Sequence, residues 1–331
     1  MSDPIQHGGA LDAAIGRYGG ERDDWLDLST GINPKPYPLP TLPEEIWHRL
    51  PDTKAMDDCL DAARGYYGVP NGTGLVAAPG TQAIIQWLPR VLNVDHVQVV
   101  SPTYAEHAHC WKQAGCEVTE VTTLDGADGQ VVILVNPNNP TGMLYDPREI
   151  ADVAADLERN GATLIVDEAF CDVASLNSII SSLPQNCIVL RSFGKFFGLA
   201  GLRLGFAVGS EPIINRLHDA MGPWAVPGPA LFIGARAMAD EVWVSDAREQ
   251  LAQMRARLQS VLGQNGFRIV GGIDLFVTVD HPDAAQICEG LARQHCLVRS
   301  FDYAPTWLRF GLPGSDAEML RLEKALRGIA S

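Results

Sequence analysis

The sequence is short of positive charge. Its 331 residues carry 25 Lys and Arg against 40 Asp and Glu, a formal net charge of −15. With a sequence pI of about 4.9, the chain offers no electrostatic footprint for nucleic acid. An anionic substrate must be met by a local cluster of Arg, because the overall field repels it. Paired cysteines are also missing. The seven Cys are odd in number and none stands in a Cys-x-x-Cys spacing, which points to reduced, mostly buried thiols. No uncharged apolar run approaches the length of a membrane span, and the amino terminus carries no signal-like segment, so a cytoplasmic location is expected. No internal repeat or low-complexity segment is present. Glu106-His107-Ala108-His109-Cys110 could suggest a metal, but two His two apart face different sides of a helix, so no metal site is expected. What remains is ordinary globular composition, 46% hydrophobic and 20% charged, with enough material for a core and enough length for about two domains.

The stretch Ser192-Phe193-Gly194-Lys195-Phe196-Phe197-Gly198 organises the rest. It follows an apolar run, Ile188 to Leu190, that reads as a short buried strand. Desolvation among aromatic rings lowers the pKa of an amine and makes a neutral nucleophile available, which is the requirement for a Schiff-base lysine. The alternative is a loop Lys with its amine in water. Two motifs stand upstream at equal distances. Val131 to Val135 ends in Asn136-Pro137-Asn138-Asn139-Pro140-Thr141-Gly142, and Thr163 to Val166 ends in Asp167-Glu168. Asn139 to Asp167 is 28 residues, and Asp167 to Lys195 is 28 again, about one strand–crossover–strand unit. A polar residue therefore stands at the carboxyl end of three successive strand candidates, the edge where open α/β sheets bind ligands. Asn, Asp and Lys converging there suggest an aromatic, phosphorylated aldehyde, pyridoxal phosphate. Lys195 would hold it covalently, Asp167 would keep its pyridine nitrogen protonated, and Asn139 would bond the ring 3-oxygen.

In this order and spacing, Asn-Pro-Asn-Asn-Pro-Thr-Gly, Asp-Glu-Ala-Phe and Ser-Phe-Gly-Lys…Gly-Leu-Arg resemble the fold-type I pyridoxal-phosphate enzymes, the aminotransferase class I/II superfamily. Three stretches narrow the resemblance: His7-Gly8-Gly9, Leu28-Ser29-Thr30-Gly31-Ile32-Asn33-Pro34, and Ser192 to Phe197. They are most similar to the threonine-phosphate decarboxylases of cobalamin synthesis, close relatives of the histidinol-phosphate aminotransferases. The resemblance implies an α/β fold with a mostly parallel seven-stranded sheet, helices on both faces and a smaller α/β domain. It places the large domain at 41–239, with the small domain made from 1–40 and 240–331, and it implies a homodimer.

Residue roles follow from the same resemblance. Leu75 to Ala78 is a strand candidate, and Gly80-Thr81-Gln82 opens a helix, Ala83 to Leu92. A helix amino terminus with free amides is an anion site, and the family places the cofactor phosphate there, with Ser192 and Arg203 completing the cup. Tyr104, after the strand Val97 to Val100, matches the aromatic that stacks on the pyridine ring; the alternative is an ordinary interface Tyr. Arg309, in the apolar strand candidate Trp307 to Gly311, matches the Arg that takes the substrate α-carboxylate; a buried structural ion pair is the alternative. An Arg in an apolar strand needs an anion, and its planar fork suits a carboxylate. His7 and Gly8 are implied near the substrate phosphate, and Arg299 is a further candidate for it. Three departures stand out. Gly31 replaces a frequent Asn, Leu50 replaces the Tyr that reaches the neighbouring subunit's cofactor phosphate, and Phe170 replaces Tyr in Asp-Glu-Ala-Tyr.

The remaining elements read as helices over Leu42 to Leu50, Met56 to Tyr67, Glu241 to Leu262, Ala284 to Gln294 and Asp316 to Leu326. Further strands are expected over Leu204 to Val208, the last antiparallel in the large sheet, Leu275 to Val279 and Leu297 to Ser300. The activity implied is decarboxylation of L-threonine O-3-phosphate to (R)-1-aminopropan-2-yl phosphate. The alternative is an aminotransferase of the histidinol-phosphate type, since which bond at Cα breaks depends on which stands perpendicular to the ring. A non-catalytic pyridoxal sensor is the reading from another class, disfavoured by the retention of Lys195, Asp167, Asn139 and Arg309 together.

Overall fold

The structure, a computed structural model, describes residues 8–330, so the expectation on His7 lies outside the described residues. Backbone contacts divide the chain into two compact units. One comprises the chain up to Pro36, Pro140–Gly142 and the chain from Ser245 onward; the other comprises Tyr37–Asn139 and Met143–Val244.

The second unit is built on seven strands: β1 (Gly74–Ala78), β2 (His96–Val100), β3 (Glu117–Val121), β4 (Val131–Val135), β5 (Thr163–Asp167), β6 (Cys187–Ser192) and β7 (Gly205–Gly209). Their order is β1-β7-β6-β5-β4-β2-β3. Only β7 runs antiparallel to its neighbours, and every other pair is parallel. The central strands are continuous apolar runs because both of their faces are covered. One face is filled by Val97, Val99, Val131, Ile133, Ile165 and Ile188, packed on residues of α1 (Thr81–Leu92), α2 (Glu106–Gln113) and the helix Glu211–Met221. On the other face Tyr67, from the helix Thr53–Tyr67, meets Phe206 at 5.6 Å between ring centroids. The expected mostly parallel seven-stranded sheet is present, antiparallel strand included. The edge strand β3 is absent from the sequence reading: Glu117-Val118-Thr119-Glu120-Val121 is largely exposed, so its composition carries no core signal.

The other unit contains a four-stranded antiparallel sheet of β8 (Arg268–Ile273), β9 (Phe276–Asp280), β10 (Arg299–Ser300) and β11 (Trp307–Gly311), in the order β10-β11-β9-β8. The amino-terminal arm is tied into this unit. Leu26–Asp27 pairs in parallel with Cys296–Leu297, and the amide of Gly311 donates to the Leu28 carbonyl at 2.7 Å. Two expectations need correction. The helix read over Leu42 to Leu50 shrinks to Glu45–His48, and Arg49 is already extended; Pro51 disfavours helical geometry in the residue before it and ends the element. The strand read over Leu297 to Ser300 is broken at Val298, because Cys296–Leu297 pairs with the arm while Arg299–Ser300 pairs with β11. No helix among the described residues is long and apolar enough to cross a membrane.

Candidate active site

The equal 28-residue spacings correspond to three adjacent parallel strands. Val135 lies opposite Asp167 and Asp167 opposite Leu190 in the sheet register, so the carboxyl ends of β4, β5 and β6 stand side by side. Asn139 follows β4 after Asn138, whose side-chain oxygen accepts from Thr103 Oγ1 at 2.7 Å, and opens the turn 139–141. Asp167 closes β5 and Ser192 closes β6, both buried. The chain then turns at once into the four-residue helix Phe193–Phe196 that carries Lys195. Phe193, Phe196 and Phe197 are fully buried, with Phe193 stacked on Phe197 at 4.3 Å, so the aromatic residues anchor the turn. Gly194 is required there, since a Cβ would come within 2.7 Å of the Ala200 Cα. Lys195 stays half-buried with Nζ 5.6 Å from the Phe170 ring centroid.

Asp167 is held by His107, whose Nε2 lies 2.8 Å from Asp167 Oδ2, both side chains being buried. The other carboxylate oxygen accepts from the Ala169 amide at 2.9 Å. In the sequence His107 stands out only as a possible metal ligand. The available signal was its spacing: His107 lies one helical turn beyond Tyr104, and the two rings meet edge-on at 6.0 Å. Burial, then the nearby Glu106 carboxylate, pushes the Tyr104 phenol above its ordinary range.

Gly80, Thr81 and Arg203 converge at the start of α1. Gly80 caps the helix with φ +83°, open to glycine at little cost, and a Cβ there would collide with the Arg203 guanidinium. Gly205, at the start of β7, packs so closely that a Cβ would lie 2.6 Å from the Thr81 amide nitrogen. The free amides of a twelve-residue helix thus have a guanidinium beside them, a setting for a phosphate. The Gln82 side chain is used otherwise: it bonds Tyr104 Oη at 3.1 Å and Glu106 Oε2 at 2.7 Å. Only its backbone amide remains for an anion.

Behind this edge sits a buried ionic group. Arg191 donates to Glu168 Oε2 at 2.7 Å and to Asp172 Oδ1 at 3.0 Å, with its guanidinium 4.5 Å from the Tyr67 ring centroid. It ties the end of β5 to β6. Arg191→Met would strand two buried carboxylates, and we expect it to lower unfolding free energy by about 3–5 kcal/mol, read by denaturant titration of the cofactor-free protein. A change under about 1 kcal/mol would contradict the assigned coupling of the strand ends.

In the other unit, Arg309 on β11 and Arg299 on β10 are directly opposed across the strands. Arg309 is buried, donates to the Ser29 carbonyl at 2.7 Å and lies over the Phe276 ring. Burial, and then the charge of Arg299, bring its pKa down to about 10. Arg299 is shifted down as well, by burial. Gly8 belongs to the same cluster: a Cβ on it would collide with the Ser29 carbonyl and lie 3.5 Å from Arg309 Nη2. Two desolvated guanidinium groups side by side suit an anion or a pair of anions.

The residues of the second unit fit pyridoxal phosphate. They offer a glycine-capped helix start beside Arg203, a buried carboxylate oriented by His107, and a half-buried amine among aromatic rings.

The family model for aminotransferase class I and II matches residues 25–326. The chain is 48% identical over 331 residues to a threonine-phosphate decarboxylase of Sinorhizobium sp, with 98% of each chain covered. It is 44% identical over 333 residues to a threonine-phosphate decarboxylase of Pseudomonas aeruginosa, again with 98% of each covered. A solved histidinol-phosphate aminotransferase of Sinorhizobium meliloti, in complex with pyridoxal-5'-phosphate, superposes with a TM-score of 0.83 at 20% identity, over 99% of this chain and 95% of that one. The last likeness speaks for the fold alone.

Proposed function

The chain belongs to the aminotransferase class I and II family, and from that premise we propose that it is a pyridoxal-phosphate-dependent lyase. Its reaction is decarboxylation of L-threonine O-3-phosphate to (R)-1-aminopropan-2-yl phosphate, a step of cobalamin biosynthesis. The observation that carries this reading is the 48% identity to a threonine-phosphate decarboxylase over 98% of both chains.

When bound, pyridoxal phosphate supplies a sink for the electron pair left on the substrate Cα as the bond to the carboxylate breaks. The chain's residues do the rest. Lys195 would hold the cofactor through Nζ, and the same amine is the group placed to return a proton to the substrate Cα. Asp167, oriented by His107, would keep a proton on the ring nitrogen. Asn139 would bond the ring 3-oxygen and Tyr104 would lie against the ring. The amides of Thr81 and Gln82 after Gly80, with Ser192 and Arg203, would take the cofactor phosphate. Arg309 is assigned the substrate carboxylate, and Arg299 with the His7–Gly8 segment the substrate phosphate. Two anion anchors would matter because together they fix which bond at Cα the residues of the site present for cleavage.

The test is incubation of the cofactor-loaded protein with L-threonine O-3-phosphate and no oxo acid. Sustained carbon dioxide release with the aldehyde form of the cofactor retained is expected. Conversion to the amine form without carbon dioxide would make the protein an aminotransferase. Arg309→Lys keeps the charge but loses the planar fork. We expect kcat/KM to fall roughly 30-fold or more, the scale of about 2 kcal/mol for a disrupted buried charge pair; an unchanged value would reassign the carboxylate site. Phe170→Tyr adds a hydroxyl near Lys195 Nζ that can donate to the ring 3-oxygen. Such a donor favours the anionic oxygen, so the pH midpoint of the cofactor's visible band should move down. A midpoint that stays or rises would place Phe170 away from that oxygen.

The same reading includes a cytoplasmic homodimer. Large apolar side chains exposed on the second unit, Trp47 at 66%, Leu50 at 65% and Trp224 at 58%, are ones that a subunit interface would cover. Sedimentation at twice 35.8 kDa is expected.

A further inference from the structure

Gln82 and Glu106 form a hydrogen-bonded chain behind Tyr104 that none of the steps above uses. Tyr104 Oη donates to Gln82 Oε1 at 3.1 Å, and Gln82 Nε2 donates to Glu106 Oε2 at 2.7 Å. The direction of this chain is not arbitrary. An ionised carboxylate only accepts hydrogen bonds, whereas an amide has one donating and one accepting end. Facing Glu106, Gln82 must turn its NH2 group toward the carboxylate, and its carbonyl oxygen then faces Tyr104. A phenol has one proton to donate, and that proton goes to Gln82.

We propose that Glu106 is a positioning residue of the reaction: acting through Gln82, it commits the Tyr104 hydroxyl proton to the amide, so that Tyr104 meets its ligand as a ring and a hydrogen-bond acceptor and not as a proton donor. The inference deepens the reading of Tyr104 as the residue against the cofactor ring and rests on it. Its consequence is that proton delivery is left to Lys195. Glu106 is half-buried at the start of α2 and also lies 3.8 Å from Cys110 Sγ. The titratable and charged groups around the phenol are Glu106 and Cys110 on α2, Asp167 at the end of β5, and Arg203. His107 meets its ring edge-on. Burial and Glu106 both act to keep the phenol protonated, as the donor role requires.

A double-mutant cycle tests this on cofactor-loaded protein, with Glu106→Gln and Tyr104→Phe. The readouts are the pH midpoint of the cofactor's visible band, kcat and KM. Glu106→Gln keeps the shape but puts a group there that can donate as well as accept, so Gln82 loses its single orientation. In the unsubstituted background it should shift the midpoint by roughly half a unit to one unit, the scale of one hydrogen bond redirected, and lower kcat more than it changes KM. In the Tyr104→Phe background both effects should vanish, the non-additivity expected of residues in one network. Should Glu106→Gln not load cofactor, Gln82→Met removes the middle of the chain and must show the same dependence on Tyr104. A midpoint and kcat that Glu106→Gln leaves in place, or that it moves equally in both backgrounds, overturn the inference alone. Absence of any cofactor band in the unsubstituted protein overturns the reading of the site together with it.

Discussion

Lys195→Ala is expected to abolish turnover, with a loss of at least about 10⁴-fold, the upper range for removal of one positioned proton-transfer group. The side chain stands at the carboxyl end of β6, in a helix of four residues whose three neighbouring Phe rings are fully buried. The anchoring is supplied by the buried rings, so Lys195→Ala should fold, and its melting temperature without cofactor should stay close to that of the unsubstituted protein. The distinguishing readout is covalent. After borohydride reduction the unsubstituted protein should gain the mass of one cofactor, and Lys195→Ala should gain none. A Lys195→Ala protein that still released carbon dioxide from L-threonine O-3-phosphate would overturn the assignment.

Asp167→Asn should cost about 10²–10³-fold in kcat, the range seen when one preorganised electrostatic contact at a reacting group is removed. The carboxylate is buried, with one oxygen 2.8 Å from His107 Nε2 and the other accepting the Ala169 amide. Asn preserves the shape and can keep a bond to each neighbour, so stability should change little. What is lost is the negative charge that keeps a proton on the ring nitrogen. The loss should fall on kcat, with KM nearly unchanged, because the substrate's anionic ends are assigned to other residues. His107→Asn should show a weaker version of the same pattern, since it acts through Asp167. Should Asp167→Asn retain full kcat, the ring nitrogen does not face this residue.

Much of this site was legible along the chain because parallel α/β architecture maps sequence distance onto space. One crossover separates successive strands, so the equal spacings among Asn139, Asp167 and Lys195 were a statement about neighbouring strand ends, and the register of β4, β5 and β6 bears it out. Gly80 was legible through the helix start it opens together with the family resemblance, and the structure gives it φ +83° at that start. The large sheet's apolar runs were visible for the same reason that they are buried on both faces.

Other features had no local signature. His107 reaches Asp167 across 60 residues of sequence, and a buried histidine looks the same in sequence whether it holds a carboxylate, a metal or nothing. Gln82 was read toward a phosphate because it opens a helix, yet its side chain completes a chain to Tyr104 and Glu106. The Arg191 group and the opposition of Arg299 to Arg309 across an antiparallel pair depend on register and on side-chain direction. Spacing and motif order by themselves determined which polar residues stand at three neighbouring strand ends and pointed to the cofactor, because those are properties of one strand–crossover unit at a time; the fold class followed from the family resemblance that the same motifs carry. Tertiary structure alone decided which side chain each of those residues leans on, because hydrogen-bond direction and the pairing of buried charges arise only where separate elements meet.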